Sequence, residues 1–248
     1  MKVISIINLK GGVGKTTTAV NMAAILARDY DRRVLLIDAD PQANASWFFG
    51  AAGSAMTLRD IFDGADMEEC IQRTPVDGVS IIPAEIGLIY MDAGMAQSVP
   101  NFRELQELCQ VICDADLFDF VIIDCPPSFT ATSVAAILAS EDVIIPVKPD
   151  GFVGSGIKEL SAQIGAVRQI NDSVKIAGAL VTMWHNSEAV RAGEQALRDS
   201  GLPVFRTVIR RTDKVDESTF ARQTLDEWSP YSSAGRDYKA FVAEYTGV

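Results

Sequence analysis

Residues 8–18 read Asn-Leu-Lys-Gly-Gly-Val-Gly-Lys-Thr-Thr-Thr and predict a phosphate-binding loop. The apolar run at residues 3–7 has the composition of a buried strand, and residues 17–28 repeat apolar side chains at helical spacing. A glycine-rich turn between a strand and a helix lets backbone N–H groups point inward, where the helix dipole also favours an anion. We therefore expect a phosphate group to bind at this turn.

We expect one continuous stretch, residues 10–17, to bind the nucleotide. Its residues are Lys10, Gly11, Gly12, Val13, Gly14, Lys15, Thr16 and Thr17. In loops of this kind Lys15 would reach the β- and γ-phosphates, and the Thr16 hydroxyl would bind Mg²⁺. The ordinary pattern G-x-x-x-x-G-K-[ST] has glycine where this chain has Leu9, and it lacks the additional Lys10.

Apolar runs rich in β-branched residues alternate with helical patterns along most of the chain. The predicted strands cover residues 3–7, 33–37, 79–82, 118–123, 143–145, 176–181 and 204–205, and the predicted helices lie near residues 17–28, 57–62, 101–115, 130–139, 155–170 and 187–199. Such alternation is typical of a mostly parallel, twisted sheet flanked by helices on both faces. The predicted fold is an α/β P-loop NTPase, whose ligands should bind beyond the carboxyl ends of the strands.

Composition and charge limit the remaining possibilities. The 248 residues contain no linker, repeat or low-complexity tract, so we expect a single domain over residues 1–248. No apolar stretch reaches the roughly 18 residues of a membrane span. The four cysteines lack metal-site or disulfide spacing, which favours a cytoplasmic, reducing compartment. The net charge of −11 argues against a wholly basic surface for nucleic acid, so any DNA contact should come from a local patch.

Two further strand ends carry carboxylates at the same predicted edge of the sheet. Residues 38–42 read Asp-Ala-Asp-Pro-Gln, and residues 121–127 read Val-Ile-Ile-Asp-Cys-Pro-Pro. A lone Asp at such a position is usually a helix cap or turn former. Asp38 and Asp40 beside a phosphate loop suit a different task, because two carboxylates can orient an attacking water and hold Mg²⁺ through its water shell. Asp124 suits the outer shell of the same ion.

The loop and the two acidic strand ends together resemble the ParA/MinD family of deviant Walker A ATPases, and within it the small ParA/Soj-type partition proteins. The resemblance runs through most of the chain and is most specific over residues 3–46 and 119–128. In that family the loop reads Lys-Gly-Gly-x-Gly-Lys-Thr, the second strand ends in Asp-x-Asp-Pro-Gln, and the Walker B strand ends in Asp-x-Pro-Pro. All three patterns occur here in the family's order.

The resemblance implies an ATPase that uses ATP and Mg²⁺, with Lys10, Lys15 and Asp40 as its catalytic residues. Lys10 would reach across a dimer to the partner's nucleotide, and Asp40 would position or activate the hydrolytic water. Asp38 and Asp124 would support the metal through water. Family members often carry a Pro-Arg pair near the base, whereas residues 208–211 read Val-Ile-Arg-Arg, so the base contacts stay open.

DNA binding without sequence preference is a further implication of the resemblance, through cations in the C-terminal third. Residues 206–222 hold five basic side chains against three acidic ones, in contrast to the acidic chain as a whole. The expected DNA contacts are Arg191, Arg206, Arg210, Arg211, Lys214 and Arg222. The alternative is a solvated surface of mixed charge.

The resemblance also implies an ATP-dependent homodimer, slow turnover that a ParB-like centromere-binding protein stimulates, and a role in plasmid or chromosome partition. The expected location is cytoplasmic and nucleoid-associated, without a membrane. The cargo stays open between a plasmid, a chromosome, a mobile element and a protein assembly.

The sequence also bears on two alternative functions. A MinD-like or cargo-positioning ATPase switch that does not use DNA is the alternative function. A membrane-binding tail would be basic and amphipathic, but residues 238–248 carry only Lys239 and Glu244 as charges, which predicts a closing helix docked on the core. An iron–sulfur carrier of the same superfamily would need a late C-x-x-C pair, and no cysteine follows Cys125.

Overall fold

The structure is a computed structural model that describes residues 1–90, 103–151 and 153–247. Its strands are β1 (Lys2–Ile6), β2 (Val34–Asp38), β3 (Gln72–Arg73), β4 (Val79–Ile82), β5 (Phe120–Asp124), β6 (Asp142–Val147), β7 (Lys175–Trp184) and β8 (Val204–Arg210). They form one eight-stranded sheet in the order β3-β4-β2-β5-β1-β6-β7-β8. Only the pair β3–β4 is antiparallel among these described strands.

Helices cover both faces of this sheet. They are α1 (Lys15–Tyr30), α2 (Asn44–Phe48), α3 (Leu58–Phe62), α4 (Met67–Cys70), α5 (Glu104–Asp114), α6 (Ala131–Ala139), α7 (Val153–Val167), α8 (Glu188–Arg198), α9 (Lys214–Ala221), α10 (Leu225–Trp228) and α11 (Ser233–Thr246). Successive strand residues enter opposite cores, as Val121 and Ile122 do. One core contains side chains of α5, α6 and α7, and the other contains those of α1 and α11.

The predicted parallel sheet and its helices are present, with ends that differ by a few residues. The largest difference is β8, which runs to Arg210 rather than ending at Phe205. Polar residues such as Arg206 and Thr207 interrupt the apolar pattern there, because β8 is an edge strand with less of its surface buried. Strand β3 was missed because its two residues, Gln72 and Arg73, carry no apolar signal. Residues 101–102 of one predicted helix lie outside the described residues.

The short helices α2, α4, α9 and α10 were also missed, since each is too brief to show a helical repeat. The predicted closing helix is confirmed as α11. Its side chains Tyr238, Phe241 and Val242 are buried against the core, and Tyr245 is partly buried. Within the described ranges, no helix combines the length and the apolar character that crossing a bilayer requires.

The register of the central strands brings the predicted motifs to one edge. Asp124 at the end of β5 lies opposite Ile6 of β1 and opposite Asp38 of β2. Because all three strands are parallel, the loop after β1 and the two carboxylates emerge together at the carboxyl edge of the sheet. This edge is where the candidate site is built.

Candidate functional site

The loop after β1 is shaped by two glycines in the left-handed region. Gly12 has φ 68° and Gly14 has φ 88°, and Gly14 is the N-cap residue of α1. A Cβ atom on Gly12 would meet nothing within 4 Å, so conformation rather than crowding requires glycine there. The loop therefore curls onto the N-terminus of a 16-residue helix, where backbone N–H groups and the helix dipole favour an anion.

Two residues that the sequence analysis did not single out hold this loop in place. The Asn8 side-chain amide donates to the Pro146 carbonyl (2.7 Å), while its Oδ1 atom accepts from the Lys10 backbone N–H (3.0 Å). The Thr182 hydroxyl donates to the Val13 carbonyl (2.8 Å). The loop is thereby attached to the ends of β6 and β7.

The two lysines of the loop have different environments. Lys15 is only 7% exposed, and its Nζ atom donates to the Lys10 carbonyl (3.4 Å). Burial lowers the pKa of Lys15, and the negative charges of Asp124 and Asp40 act in the opposite direction. Lys10 is exposed and forms an ion pair with Asp150, in the segment after β6. One lysine thus faces the site of its own chain, and the other lies at the surface.

Asp38 is a buried carboxylate with its own donors. It accepts hydrogen bonds from the Ser46 backbone N–H (2.8 Å), the Ser46 hydroxyl (2.7 Å) and the Asp40 backbone N–H (3.2 Å). Burial nevertheless raises the pKa of Asp38 to about 6, although the hydrogen bonds from Ser46 oppose the effect. Asp38 therefore ties the end of β2 to helix α2.

Asp124, in contrast, is fully buried, and neither carboxylate oxygen has a hydrogen-bond partner in the part of the chain that the structure describes. Burial raises the pKa of Asp124 well above its usual value, and repulsion from Asp38 adds to this. The Thr16 hydroxyl and the Lys15 ammonium lie near enough to favour the charged form, without a hydrogen bond of normal geometry. An orphaned buried carboxylate is costly unless a cation or a proton satisfies it.

The carboxylates do not make a complete metal site. Among the described residues, no cluster of three or more His, Cys, Asp or Glu side chains could hold a metal ion. A Mg²⁺ ion at this edge would therefore need oxygen ligands from a phosphate and from water, in addition to the Thr16 hydroxyl. That is the ligand set that a phosphate loop supplies when a nucleotide is bound.

Asp40 is held by the turn that follows β2. Its Oδ1 atom accepts from the Gln42 backbone N–H (2.9 Å), and its carbonyl accepts from the Ala43 N–H (2.8 Å). The side chain is 6% exposed and close enough to Lys15 to influence its pKa. The three predicted carboxylates and Lys15 are thus at one edge.

A cavity of about 260 Å³ adjoins the phosphate loop at Gly14 and Thr17. Its other walls come from the segment after β6, the ends of β7 and β8, the start of α9 and one residue of α11. These lining residues are Lys148, Thr182, Met183, His185, Ile209, Arg210, Arg211, Thr212, Asp213, Val215, Asp216 and Tyr238. A nucleoside attached to phosphates in the loop would fit this position.

Two of the six predicted DNA contacts line this cavity. The Arg210 guanidinium holds Asp237 of α11 through Nη2–Oδ1 (2.7 Å) and Nε–Oδ2 (2.9 Å), and Asp237 also accepts from the Arg210 backbone N–H (2.9 Å). Arg211 lines the cavity beside it. Both arginines therefore lie at the cavity beside the phosphate loop.

The other four predicted DNA contacts are exposed, as Arg210 and Arg211 are, but they do not line the cavity. The Arg206 side chain is 91% exposed, Lys214 pairs with Glu217 (2.7 Å), and Arg191 of α8 donates to Asn186. Arg222 follows α9, and its guanidinium carbon lies 4.2 Å from the ring centroid of Trp47. These four residues are spread over β8, α8 and both ends of α9. Within β8, Arg206 lies about 13 Å from the cavity-lining Arg210, the length of four residues of extended strand.

The sequence is similar to those of known partitioning proteins. A family profile described as an AAA domain matches residues 1–176. The sporulation initiation inhibitor protein Soj of Bacillus subtilis is 32% identical over 249 residues, covering 98% of this chain and 97% of Soj. The chromosome partitioning protein ParA of Caulobacter vibrioides is 34% identical, covering 91% and 86%. The chromosome-partitioning ATPase Soj of Thermus thermophilus is 32% identical, covering 97% and 94%.

Solved structures share the architecture. Apo McdA of Cyanothece aligns with a TM-score of 0.87 at 24% identity, covering 100% of both chains, and at this identity the likeness shows the fold alone. A Mycobacterium smegmatis structure of cobyrinic acid a,c-diamide synthase with bound ADP and magnesium gives a TM-score of 0.83 at 29% identity, covering 97% of this chain and 92% of that one. These likenesses confirm the predicted α/β P-loop NTPase fold.

Proposed function

This chain belongs to the Soj/ParA family of partitioning ATPases, and on that basis we propose that it binds ATP with Mg²⁺, dimerises on the nucleotide and hydrolyses it. The ATP-bound dimer would bind DNA without sequence preference and drive DNA partition with a ParB-like partner. The observation that carries the proposal is the fully buried Asp124 carboxylate, unpartnered among the described residues, beside Lys15 and Thr16.

Nucleotide binding is assigned to the loop residues 10–17. The N–H groups of the loop and the N-terminus of α1 would hold the phosphate oxygens, and Lys15 would neutralise the β- and γ-phosphates. The Thr16 hydroxyl would bind Mg²⁺ directly, while Asp38 and Asp124 would hold its water ligands. When bound, Mg²⁺ supplies charge neutralisation for the transferring phosphoryl group. The cation would at the same time satisfy the Asp124 oxygens.

Asp40 would orient the attacking water. Its Oδ1 atom is engaged by the Gln42 N–H (2.9 Å), and its Oδ2 atom accepts no hydrogen bond from the residues that the structure describes. That second oxygen can accept a proton or a hydrogen bond from a water molecule. Phosphoryl transfer depends mainly on such positioning and on charge stabilisation, because little covalent chemistry falls to the protein.

Lys10 would complete the site of a second subunit. It lies at the surface, and the loop next to it leaves room for another chain, since a Cβ atom on Gly12 would meet no atom within 4 Å. A cation supplied across an interface in this way resembles an arginine finger, which is worth roughly 10³–10⁵ in rate. ATP would therefore join two subunits, and hydrolysis would release them.

DNA binding rests on the surface cations and on the partition names of the relatives. All six predicted contacts are exposed, and two of them, Arg210 and Arg211, also line the cavity beside the loop. Two symmetric copies of a small patch would double the local positive charge, which a chain of net charge −11 needs for phosphate contacts. The proposed setting is cytoplasmic and nucleoid-associated, with plasmid or chromosomal DNA as cargo.

The alternative is a MinD-like or cargo-positioning switch that does not use DNA. The distribution of the basic residues over three separate elements, β8, α8 and α9, favours it, because no single element carries them all. Both functions use the same nucleotide site. They differ only in the surface to which the ATP-bound dimer binds.

The test is binding of a duplex of arbitrary sequence with ATP, with ADP and without nucleotide, over a series of salt concentrations. We expect binding only with ATP, and a steep loss of affinity as salt rises. The Lys15→Ala variant is the control, because it should lose the response to nucleotide. ATP-dependent dimers that bind no DNA in any condition would contradict the DNA proposal and favour the alternative.

A further inference from the structure

An exposed tryptophan joins the nucleotide edge to one of the proposed DNA contacts. The Arg222 guanidinium carbon lies 4.2 Å from the centroid of the Trp47 ring, within the range of a cation–π contact, and indole is the strongest ring partner for a cation. Trp47 is still 43% exposed, and Arg222 is exposed as well. The contact therefore orients a charged group at the surface and is not part of the core.

The backbone on both sides of this contact is well fixed. Trp47 lies on α2, and its neighbour Phe48 is buried in the core that also contains side chains of α1. Arg222 ends α9 in the left-handed region (φ 53°), and its N–H bonds to the Thr219 carbonyl (3.1 Å). A non-glycine residue at positive φ is uncommon, and here the hydrogen bonds from its N–H to the last turn of α9 hold it in this conformation. The two side chains thus meet because their helix ends are held there.

Both helices begin at the nucleotide edge. Ser46, the residue before Trp47, donates its N–H and its hydroxyl to Asp38, and its Oγ atom accepts from the Ala84 N–H (2.9 Å). Helix α9 begins at Lys214, next to cavity-lining residues at positions 212–213. Ser46, which donates to the Asp38 carboxylate, is therefore next in the chain to Trp47, whose ring Arg222 contacts.

We propose that Trp47 is a positioning residue that presents the Arg222 guanidinium for phosphate contact and links this presentation to the nucleotide edge through Ser46 and Asp38. The inference rests on the proposed DNA binding and assigns its regulation. A guanidinium can stack on a ring with its face while its N–H groups at the rim stay free to donate. Trp47 and a DNA phosphate can therefore engage Arg222 at the same time.

The test compares Trp47→Leu, which keeps apolar bulk without a π face, with the conservative Trp47→Phe. Binding of a short fluorescein-labelled duplex is measured with a non-hydrolysable ATP analogue and with ADP. For Trp47→Leu we expect an affinity loss of about two- to fivefold with the analogue, the size of an exposed cation–π contact. Trp47→Phe should recover most of the affinity, and ATP turnover without DNA should stay at the wild-type level in both variants.

The double variant Trp47→Leu/Arg222→Ala decides whether the ring acts through the arginine. We expect it to bind no more weakly than Arg222→Ala alone, because the two side chains form one unit. Additive losses would overturn the inference, since Trp47 would then contact DNA by itself. The inference would also be overturned if Trp47→Leu bound the duplex with wild-type affinity while Arg222→Ala bound it more weakly. If the wild-type protein binds no DNA with the analogue, the proposed function fails, which is a different result.

Discussion

Asp38 and Asp124 lie directly opposite each other at the ends of the adjacent parallel strands β2 and β5, yet only Asp38 has hydrogen-bond donors among the described residues. Two buried carboxylates in register are unfavourable without a cation, because each disfavours the charge of the other. We interpret this asymmetry as a division of labour. Asp38 holds helix α2 through Ser46, while under the proposed function the unpartnered Asp124 oxygens would face the water ligands of Mg²⁺.

Replacing Asp124 by asparagine should stabilise the nucleotide-free protein and abolish its Mg²⁺-dependent turnover. The change removes a carboxyl group that must either bury its charge or take up a proton on folding, which should raise the free energy of unfolding by on the order of 1–3 kcal/mol at neutral pH. Thermal unfolding and ATPase assays measure the two effects. Asp142→Asn is the matched control, since Asp142 is also buried but its Oδ2 atom accepts from the Tyr245 hydroxyl (2.7 Å) and pairs with Lys2 (3.1 Å). That control should lose stability, and a destabilised Asp124→Asn protein would contradict the prediction.

The raised pKa of Asp38 predicts how stability changes with pH. The folded pKa of about 6 lies above the value of about 3.9 in unfolded chains, so the destabilising charge is absent at low pH, develops as pH rises and is complete above the folded pKa. Between pH 4 and pH 7 this carboxylate should lower the free energy of unfolding by on the order of 2 kcal/mol. Urea unfolding of the wild type and of Asp38→Asn measures it as a difference.

The difference between the two proteins is needed because other carboxylates act in the opposite direction. Hydrogen bonds from Arg33 lower the pKa of Asp119 to about 2, so that group favours folding at neutral pH. Its contribution is present in both proteins and cancels. Parallel stability curves for the wild type and Asp38→Asn over this pH range would refute the prediction.

The Thr182 hydroxyl should matter for nucleotide affinity, although it need not touch the nucleotide. Thr182→Val keeps the shape of the side chain but removes the donor to the Val13 carbonyl, which leaves a buried acceptor unsatisfied at a cost of about 1–3 kcal/mol. We expect several-fold weaker ATP binding by calorimetry, because the loop is less well held. Thr182→Ser retains the hydroxyl and should bind ATP more tightly than Thr182→Val. The reverse order would be incompatible with this explanation.

Arg210 and Arg222 should separate nucleotide binding from DNA binding. Arg210 is held by Asp237 at the cavity, so Arg210→Ala should weaken ATP binding. Arg222→Ala should leave ATP affinity unchanged and lower the salt dependence of DNA binding by about one counterion per subunit. Calorimetry with ATP and duplex titrations at several salt concentrations measure both. An Arg210→Ala protein with normal ATP affinity would return Arg210 to the proposed DNA surface.

Features built from one continuous segment could be predicted from the sequence, and contacts between residues far apart in the chain could not. Residues 10–17 were predictable because the loop is one continuous segment, and Asp38 and Asp124 because parallel strands end at the same edge. Asn8 and Thr182 were not, since their partners lie 138 and 169 positions away. Arg210 looked like part of a basic run because Asp237 follows it by 27 residues. Local motifs carry the chemistry, and tertiary contacts decide which neighbouring cations belong to the site.

If Lys10 acts on the nucleotide of the partner subunit, two inactive variants should restore activity to each other when they are mixed. Lys10→Ala lacks the lysine that acts across the dimer, and Asp40→Ala lacks the carboxylate that acts within its own subunit. In a mixed dimer, the Lys10→Ala subunit keeps Asp40 and receives Lys10 from its partner, so one of the two sites is complete.

Steady-state ATP hydrolysis of an equal mixture is the measurement. We expect each variant alone to be nearly inactive and the mixture to recover about a quarter of the wild-type rate, since half of the dimers are mixed and each has one complete site. Analytical ultracentrifugation with a non-hydrolysable analogue verifies that mixed dimers form. No recovery of activity in a mixture that does dimerise, or normal turnover by Lys10→Ala alone, would contradict a role for Lys10 at the partner subunit's nucleotide.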